Sequence, residues 1–193
     1  LGGCTTTNND NYPDKARAAS AASETQAAGK AKNVILFIGD GMGISTVTAA
    51  RIYAGQKQGQ SGEEYVLPFE TFDNVALVKT YNTDAQVADS AGTASAMHTG
   101  VKTRIGVLGY GPGVTTGDCA SGSGHELGLL GEEVKQRGLA LGIVSTARLT
   151  HATPASVYAR SVSRDWEGDT AIPEDQRGRG CSDIAQQLVG APF

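Results

Sequence analysis

No stretch of this chain approaches 18 consecutive apolar residues, so nothing in it reads as a membrane-spanning helix. Basic charge is short as well. Sixteen Lys and Arg stand against 20 Asp and Glu, a net charge of −4. That balance excludes a basic, non-specific nucleic-acid binder, and no nucleic acid is expected as a partner. There is no Gly-X-Y period, which excludes collagen. Cysteine and histidine are scarce, at three each. What abounds is glycine: 26 of 193 residues, about 13%, against roughly 7% in ordinary proteins. Glycine at this level implies many tight turns and close backbone approaches. Hydrophobic residues make up 39% and charged residues 19%, which supports a core rather than wholesale disorder. The length of 193 residues suits one ordinary domain.

The chain begins Leu1-Gly2-Gly3-Cys4 rather than with Met, and so reads as already cut. These four residues resemble the lipobox of bacterial lipoproteins, in which the Cys becomes the lipidated N-terminus. A stray free cysteine is the plainer alternative. Residues 5–31 are rich in Thr, Asn, Ala and Ser and show no apolar periodicity. Residues 1–31 therefore read as lipobox and flexible tether.

The remainder alternates strand-like and helix-like segments. Val34-Ile35-Leu36-Phe37-Ile38 is a continuous apolar run, as in a strand buried on both faces. Residues 75–80 and 141–146 are further strand candidates. Helices are predicted over 44–53, 91–98, 126–137, 154–161 and 182–188. In 126–137, Leu127, Leu130 and Val134 form one face and Gly138 is a natural stop. This alternation predicts an α/β fold with a mostly parallel sheet. In such sheets chemistry gathers beyond the carboxyl ends of the strands.

Three polar clusters fall there. In Gly39-Asp40-Gly41-Met42-Gly43, Ile44 stands where a dinucleotide fingerprint needs its third glycine. A carboxylate at a strand end suits a metal instead. The same Asp could equally cap the following helix. In the second cluster, Asp89-Ser90-Ala91-Gly92, Ser90 sits at the start of a small-residue helix. Free N–H groups and the helix dipole favour an anion there. A serine so placed can attack phosphorus if its ionisation is assisted, or can simply be an N-cap. His98, at the helix end, reads as a packing residue. In the third cluster, His151-Ala152-Thr153-Pro154, Thr153 as N-cap with Pro154 at the first helical position gives a standard helix start. His151 is not explained that way. Arg164 lies about a helix length further on, and its planar fork suits a phosphate.

Together, NVILFIGDGMG (33–43), DSAGTASAMHTGVKTRIGVLG (89–109) and VSTARLTHATPASVYARSVSRDW (144–166) closely resemble alkaline phosphatase. The resemblance runs from about 32 to 188. It implies a three-layer sandwich with a mostly parallel central sheet, residues 32–193 being the N-terminal part of the catalytic domain. It also implies two Zn²⁺, one Mg²⁺ and hydrolysis of phosphate monoesters through a phosphoserine. By this resemblance Asp40 bridges a Zn²⁺ and the Mg²⁺. Ser90 is the nucleophile and a Zn²⁺ ligand, and Thr153 is a Mg²⁺ ligand. Arg164 clamps two phosphate oxygens, and Asp89 orients Arg164. His151 lies behind the Mg²⁺ ligands and tunes metal preference. Cys119 and Cys181 match a disulfide of the family's vertebrate-like branch. A disulfide and a lipid on Cys4 both imply a periplasmic or cell-surface protein, reaching the membrane only through the anchor. A homodimer is implied for the full-length protein.

The family's remaining Zn²⁺ and Mg²⁺ ligands lie C-terminal to the region matched here. His98 and His125 fall at non-matching positions, so this stretch carries only part of each metal site. Two other functions compete with the resemblance. One is a phosphate-binding lipoprotein without catalysis. The other is a hydrolase of the same superfamily acting on diesters or sulfate esters.

Overall fold

A computed structural model describes residues 31–191. Cys4 and the expected tether up to residue 30 lie outside the described residues. Two compact units divide the chain, one ending at Ala76 and the next beginning at Leu77.

In the first unit, helix α1 spans Ile44–Gln56, three residues longer than expected. Its N-cap, Gly43, has no side chain to accept a bond, but its carbonyl receives the Val47 N–H at 3.1 Å. Ahead of it, Gly41 turns the chain at φ +64°, a left-handed conformation that favours glycine. Gly55 packs so closely that a Cβ there would lie 2.7 Å from the Gly62 Cα. The 3₁₀ turn Pro68–Thr71 is held by Glu70, which accepts from the Leu67 N–H at 2.7 Å and from Arg51 at 3.2 Å.

The second unit holds two apolar clusters. Ala91, Leu108, Ala155 and Ile184 are fully buried in one; Val107, Val162 and Trp166 anchor the other. Burial of a side chain such as Leu108 or Ile184 contributes about 1.5–3 kcal/mol. Helix α2, Ser90–Thr99, is built from small residues and ends at Gly100, at φ +77°. Helix α3, Leu130–Gln136, is half the expected length and stops before Gly138, as anticipated. Leu127 is not on it. Its N–H donates to Gly109 at 2.9 Å, because residues 126–127 are drawn alongside 109–111. Helix α4, Ala152–Ala155, is shorter than the predicted 154–161, since Ser161 instead pairs with Leu108. His151, not Thr153, is its N-cap, and Pro154 stands at the third position. Proline is tolerated there because first-turn N–H groups have no intrahelical acceptor. Helix α5, Ile184–Val189, is capped by the Asp183 carboxylate on the Gln186 N–H at 2.8 Å. Helices α2 and α4 pack together.

The predicted strands do not form among the described residues. Pairing is limited to three isolated bridges, Asn82 with Ala85, Leu108 with Ser161 and Tyr110 with Glu126. Val34, Phe37, Leu77 and Val144 are all strongly exposed, the last at 99%. An apolar run carries strand propensity, but the strand itself needs a neighbour to complete its hydrogen-bond ladder. No described helix is long and apolar enough to cross a membrane.

Candidate active site

The site is assembled at the start of α2. Asp89 is the N-cap, and Ser90 is the first helical residue rather than the cap. The Asp89 carboxylate is saturated. Oδ1 accepts from the Gly92 N–H at 3.0 Å and from Asn82 Nδ2 at 2.8 Å. Oδ2 accepts from the Gly106 N–H at 3.0 Å and from Arg164 Nη1 at 3.2 Å. Burial works to raise its pKa, but these four hydrogen bonds outweigh it and hold the carboxyl below its ordinary value. Gly92 is required by this crowding: a Cβ there would meet Asn82 Oδ1 at 2.7 Å and the Arg104 carbonyl at 2.9 Å.

Arg164 reaches the same point although it lies 74 residues beyond Ser90 in the chain. Its backbone N–H donates to the Gly106 carbonyl at 2.7 Å. Nη1 also donates to Ser90 Oγ at 2.9 Å, and Nη2 faces His151 Nε2 at 3.3 Å. A guanidinium only donates, so Nε2 is the acceptor and the imidazole proton sits on Nδ1. That Nδ1 is buried without a partner. Thr153 is half-buried two residues further on, in α4. Its carbonyl accepts from Ser156 Oγ at 2.9 Å. Ser156 Oγ in turn meets His98 Nδ1 at 2.7 Å, so His98 is the packing residue expected of it. Burial pushes the His98 pKa down.

Ser90, Asp89, Arg164 and His151 are therefore brought together. Asp40 belongs to the first unit, exposed in the turn that precedes α1. Cys119 and Cys181 form the disulfide, with Cα atoms 5.5 Å apart. Among the described residues no three His, Cys, Asp or Glu gather where they could hold a metal. The donors present are hydroxyl and carboxylate oxygens, a chemistry that fits Mg²⁺ and Zn²⁺ in part. Asn82, which holds Asp89, was not legible in the sequence because it lies in no motif; Gly106 falls within the 89–109 stretch, but its role in holding Asp89 was not legible. Nor was Glu167, which accepts from Arg148 and Thr150 beside the site.

A serine hydroxyl beside an arginine guanidinium is chemistry that suits a tetrahedral oxyanion. Solved structures give the class of protein. The chain is similar to the alkaline phosphatase from the Antarctic bacterium TAB5, with a TM-score of 0.56 at 25% identity, covering 82% of this chain and 45% of that one. It is likewise similar to Thermus thermophilus alkaline phosphatase, with a TM-score of 0.55 at 26% identity, covering 80% of this chain and 34% of that one. The fold is thus alkaline-phosphatase-like. The alkaline phosphatase family model matches residues 31–192, and the chain belongs to that family. It is 54% identical to the tissue-nonspecific alkaline phosphatase of Gallus gallus, over 82% of this chain and 31% of that relative. Identity to the Homo sapiens tissue-nonspecific isozyme is 49%, over 82% of this chain and 30% of that protein. The chain spans about a third of the length of these relatives.

Proposed function

We propose that the full-length protein hydrolyses phosphate monoesters through a phosphoserine on Ser90. The observation that carries this is the 2.9 Å hydrogen bond from Arg164 Nη1 to Ser90 Oγ, with Asp89 bracing the same nitrogen. A phosphoryl group seated on Ser90 would meet the guanidinium at once. Arg164 then binds two non-bridging oxygens and neutralises part of their charge. Ser90 Oγ gives up its proton to solvent and attacks phosphorus. The P–O bond to the alcohol breaks, and the alcohol leaves with a proton. Water next attacks the phosphoserine, the P–O bond to Ser90 breaks, and inorganic phosphate departs as Ser90 regains its proton. Positioning and charge stabilisation carry most of such a reaction.

Asp40, Ser90 and Thr153 would be this chain's share of the ligands for two Zn²⁺ and one Mg²⁺: Asp40 for Zn²⁺ and Mg²⁺, Ser90 for Zn²⁺ and Thr153 for Mg²⁺. When bound, these ions supply positive charge against the entering and leaving oxygens. The Nδ1 of His151, buried without a partner, leaves one donor to be met. The same reading takes residues 34–38, 75–80 and 141–146 as strands of a mostly parallel sheet in a three-layer sandwich. The reading also takes residues 32–193 as part of the catalytic domain. The disulfide supports an oxidising compartment, periplasm or cell surface, with Cys4 as lipid anchor. The full-length protein is read as a homodimer.

The test is an acid quench of the full-length protein with a ³²P-labelled monoester. Label that appears on wild type and vanishes in Ser90→Ala supports the proposal. Turnover without label, or phosphate binding without turnover, sinks it. Faster turnover of a diester or sulfate ester than of p-nitrophenyl phosphate would reassign the substrate.

A further inference from the structure

Arg164 lies in a turn closed by the Trp166 N–H on the Ser163 carbonyl at 3.2 Å, and Glu167 follows directly after it. That turn is pinned from behind. The Ile184 N–H donates to the Trp166 carbonyl, and the Ala185 N–H to the Glu167 carbonyl, both at 3.0 Å. The Glu167 side chain faces the other way. Its Oε1 accepts from Arg148 Nη2 at 2.6 Å. Its Oε2 accepts from Arg148 Nε at 2.9 Å and Thr150 Oγ1 at 2.5 Å. The segment thus gripped runs directly into His151, whose N–H donates back to the Arg148 carbonyl at 3.0 Å. His151 Nε2 then meets Arg164 Nη2 at 3.3 Å. The contacts close a ring: Arg164, the turn to Glu167, Arg148 and Thr150, His151, and Arg164 again.

We propose that Glu167 is a positioning residue, whose carboxylate sets the distance between His151 and the Arg164 guanidinium and thereby the affinity of the site for phosphate. This rests on the reading of Arg164 as the phosphate clamp. The physical case is one of geometry rather than stability. Arg148 is 68% exposed, and a single exposed ion pair contributes little to folding. A bidentate fork plus a third donor, however, fixes direction as well as distance. Nothing else in the ring joins the 148–150 segment to the Arg164 turn by side chains. The tie also persists well into acid. The Arg148 hydrogen bonds, against burial and with help from Thr150, hold the Glu167 carboxyl at about 2. Without the carboxylate, Arg148 and Thr150 lose their tie to the Arg164 side, the Tyr158 hydroxyl on the Leu149 carbonyl at 2.6 Å holds the segment only from the side of α4, and His151 holds the outer edge of the guanidinium less firmly in place.

The experiment uses the full-length protein with Glu167→Gln, Arg148→Met and the double variant. Gln keeps the shape but offers one acceptor oxygen where Glu offers two. KM for p-nitrophenyl phosphate and Ki for inorganic phosphate should rise together, on the order of 3- to 10-fold. The change in kcat should be smaller. The double variant should be no worse than either single one, because one tie is lost in all three. Glu167→Asp should recover part of the phosphate affinity. Unchanged KM and Ki in both single variants would overturn the proposal, as would additive losses in the double variant. A fall in kcat with phosphate Ki unmoved would overturn it too. Failure of the clamp reading is separately visible: Arg164→Ala would then leave the Ki for phosphate unmoved.

Discussion

Arg164 Nη1 stands 2.9 Å from the hydroxyl of Ser90, although 74 residues of chain separate the two. The Gly106 backbone explains the meeting. Its carbonyl receives the Arg164 N–H, and its own N–H binds Asp89, the residue before Ser90. One short segment thus sets both partners.

Arg164→Ala should raise KM for p-nitrophenyl phosphate and Ki for phosphate by about 10- to 100-fold, the scale of a lost charge-assisted hydrogen bond. Arg164→Lys should rescue little, because a point charge cannot span two oxygens. Steady-state kinetics on the full-length protein, with phosphate as competitor, measure both.

Asp89→Asn should destabilise the fold by about 1–3 kcal/mol at pH 7, since one oxygen that accepts two donors becomes a donor itself. The pH dependence has a definite sign. The Asp89 pKa is lowered in the folded protein, so its contribution is complete above the ordinary value of 3.8 and lost as pH falls through the folded one. Urea unfolding at pH 7 and at pH 3 should show the gap between variant and wild type closing with acid.

Gly92→Ala should cost about 1–3 kcal/mol by overpacking against Asn82 and the Arg104 carbonyl. It should also slow phosphorylation of Ser90, because Asn82 and Gly92 both hold Asp89. Gly128→Ala, where a Cβ meets open space, is the control. Thermal unfolding and Ser90 labelling of both variants give the answer.

Replacing Cys119 and Cys181 together by Ser should lower stability by up to about 4 kcal/mol, from loop entropy over their separation of 62 residues. A denaturant midpoint that stays put in the double variant would show that the unfolded chain gains no freedom from losing the bond.

Helix positions were legible where the signal was local. Asp183 caps α5 as a short polar side chain before an apolar run should, and Gly138 ends α3 in the left-handed conformation. The apolar runs at 34–38, 75–80 and 141–146 were legible as apolar, but a ladder is a property of two segments. Leu77 and Val144 stay exposed because no described neighbour pairs with them. At the site, Ser90, Arg164 and His151 could be selected by residue type and by resemblance. Asn82 and Glu167 could not. Asn82 lies outside the helix that Asp89 caps, and the partners of Glu167 stand 17 and 19 residues away, beyond the reach of a local pattern.

The Cys119–Cys181 bond closes a covalent ring that contains His151, Thr153, Arg164 and Glu167 but leaves Ser90 outside. A protease that cuts once anywhere inside that ring therefore releases nothing. The two pieces stay joined, and the arginine stays tethered to the serine's side of the cut. A nicked molecule would migrate as one band on a non-reducing gel and as two after reduction, with Arg164 still linked to the Ser90 side until the thiols are freed.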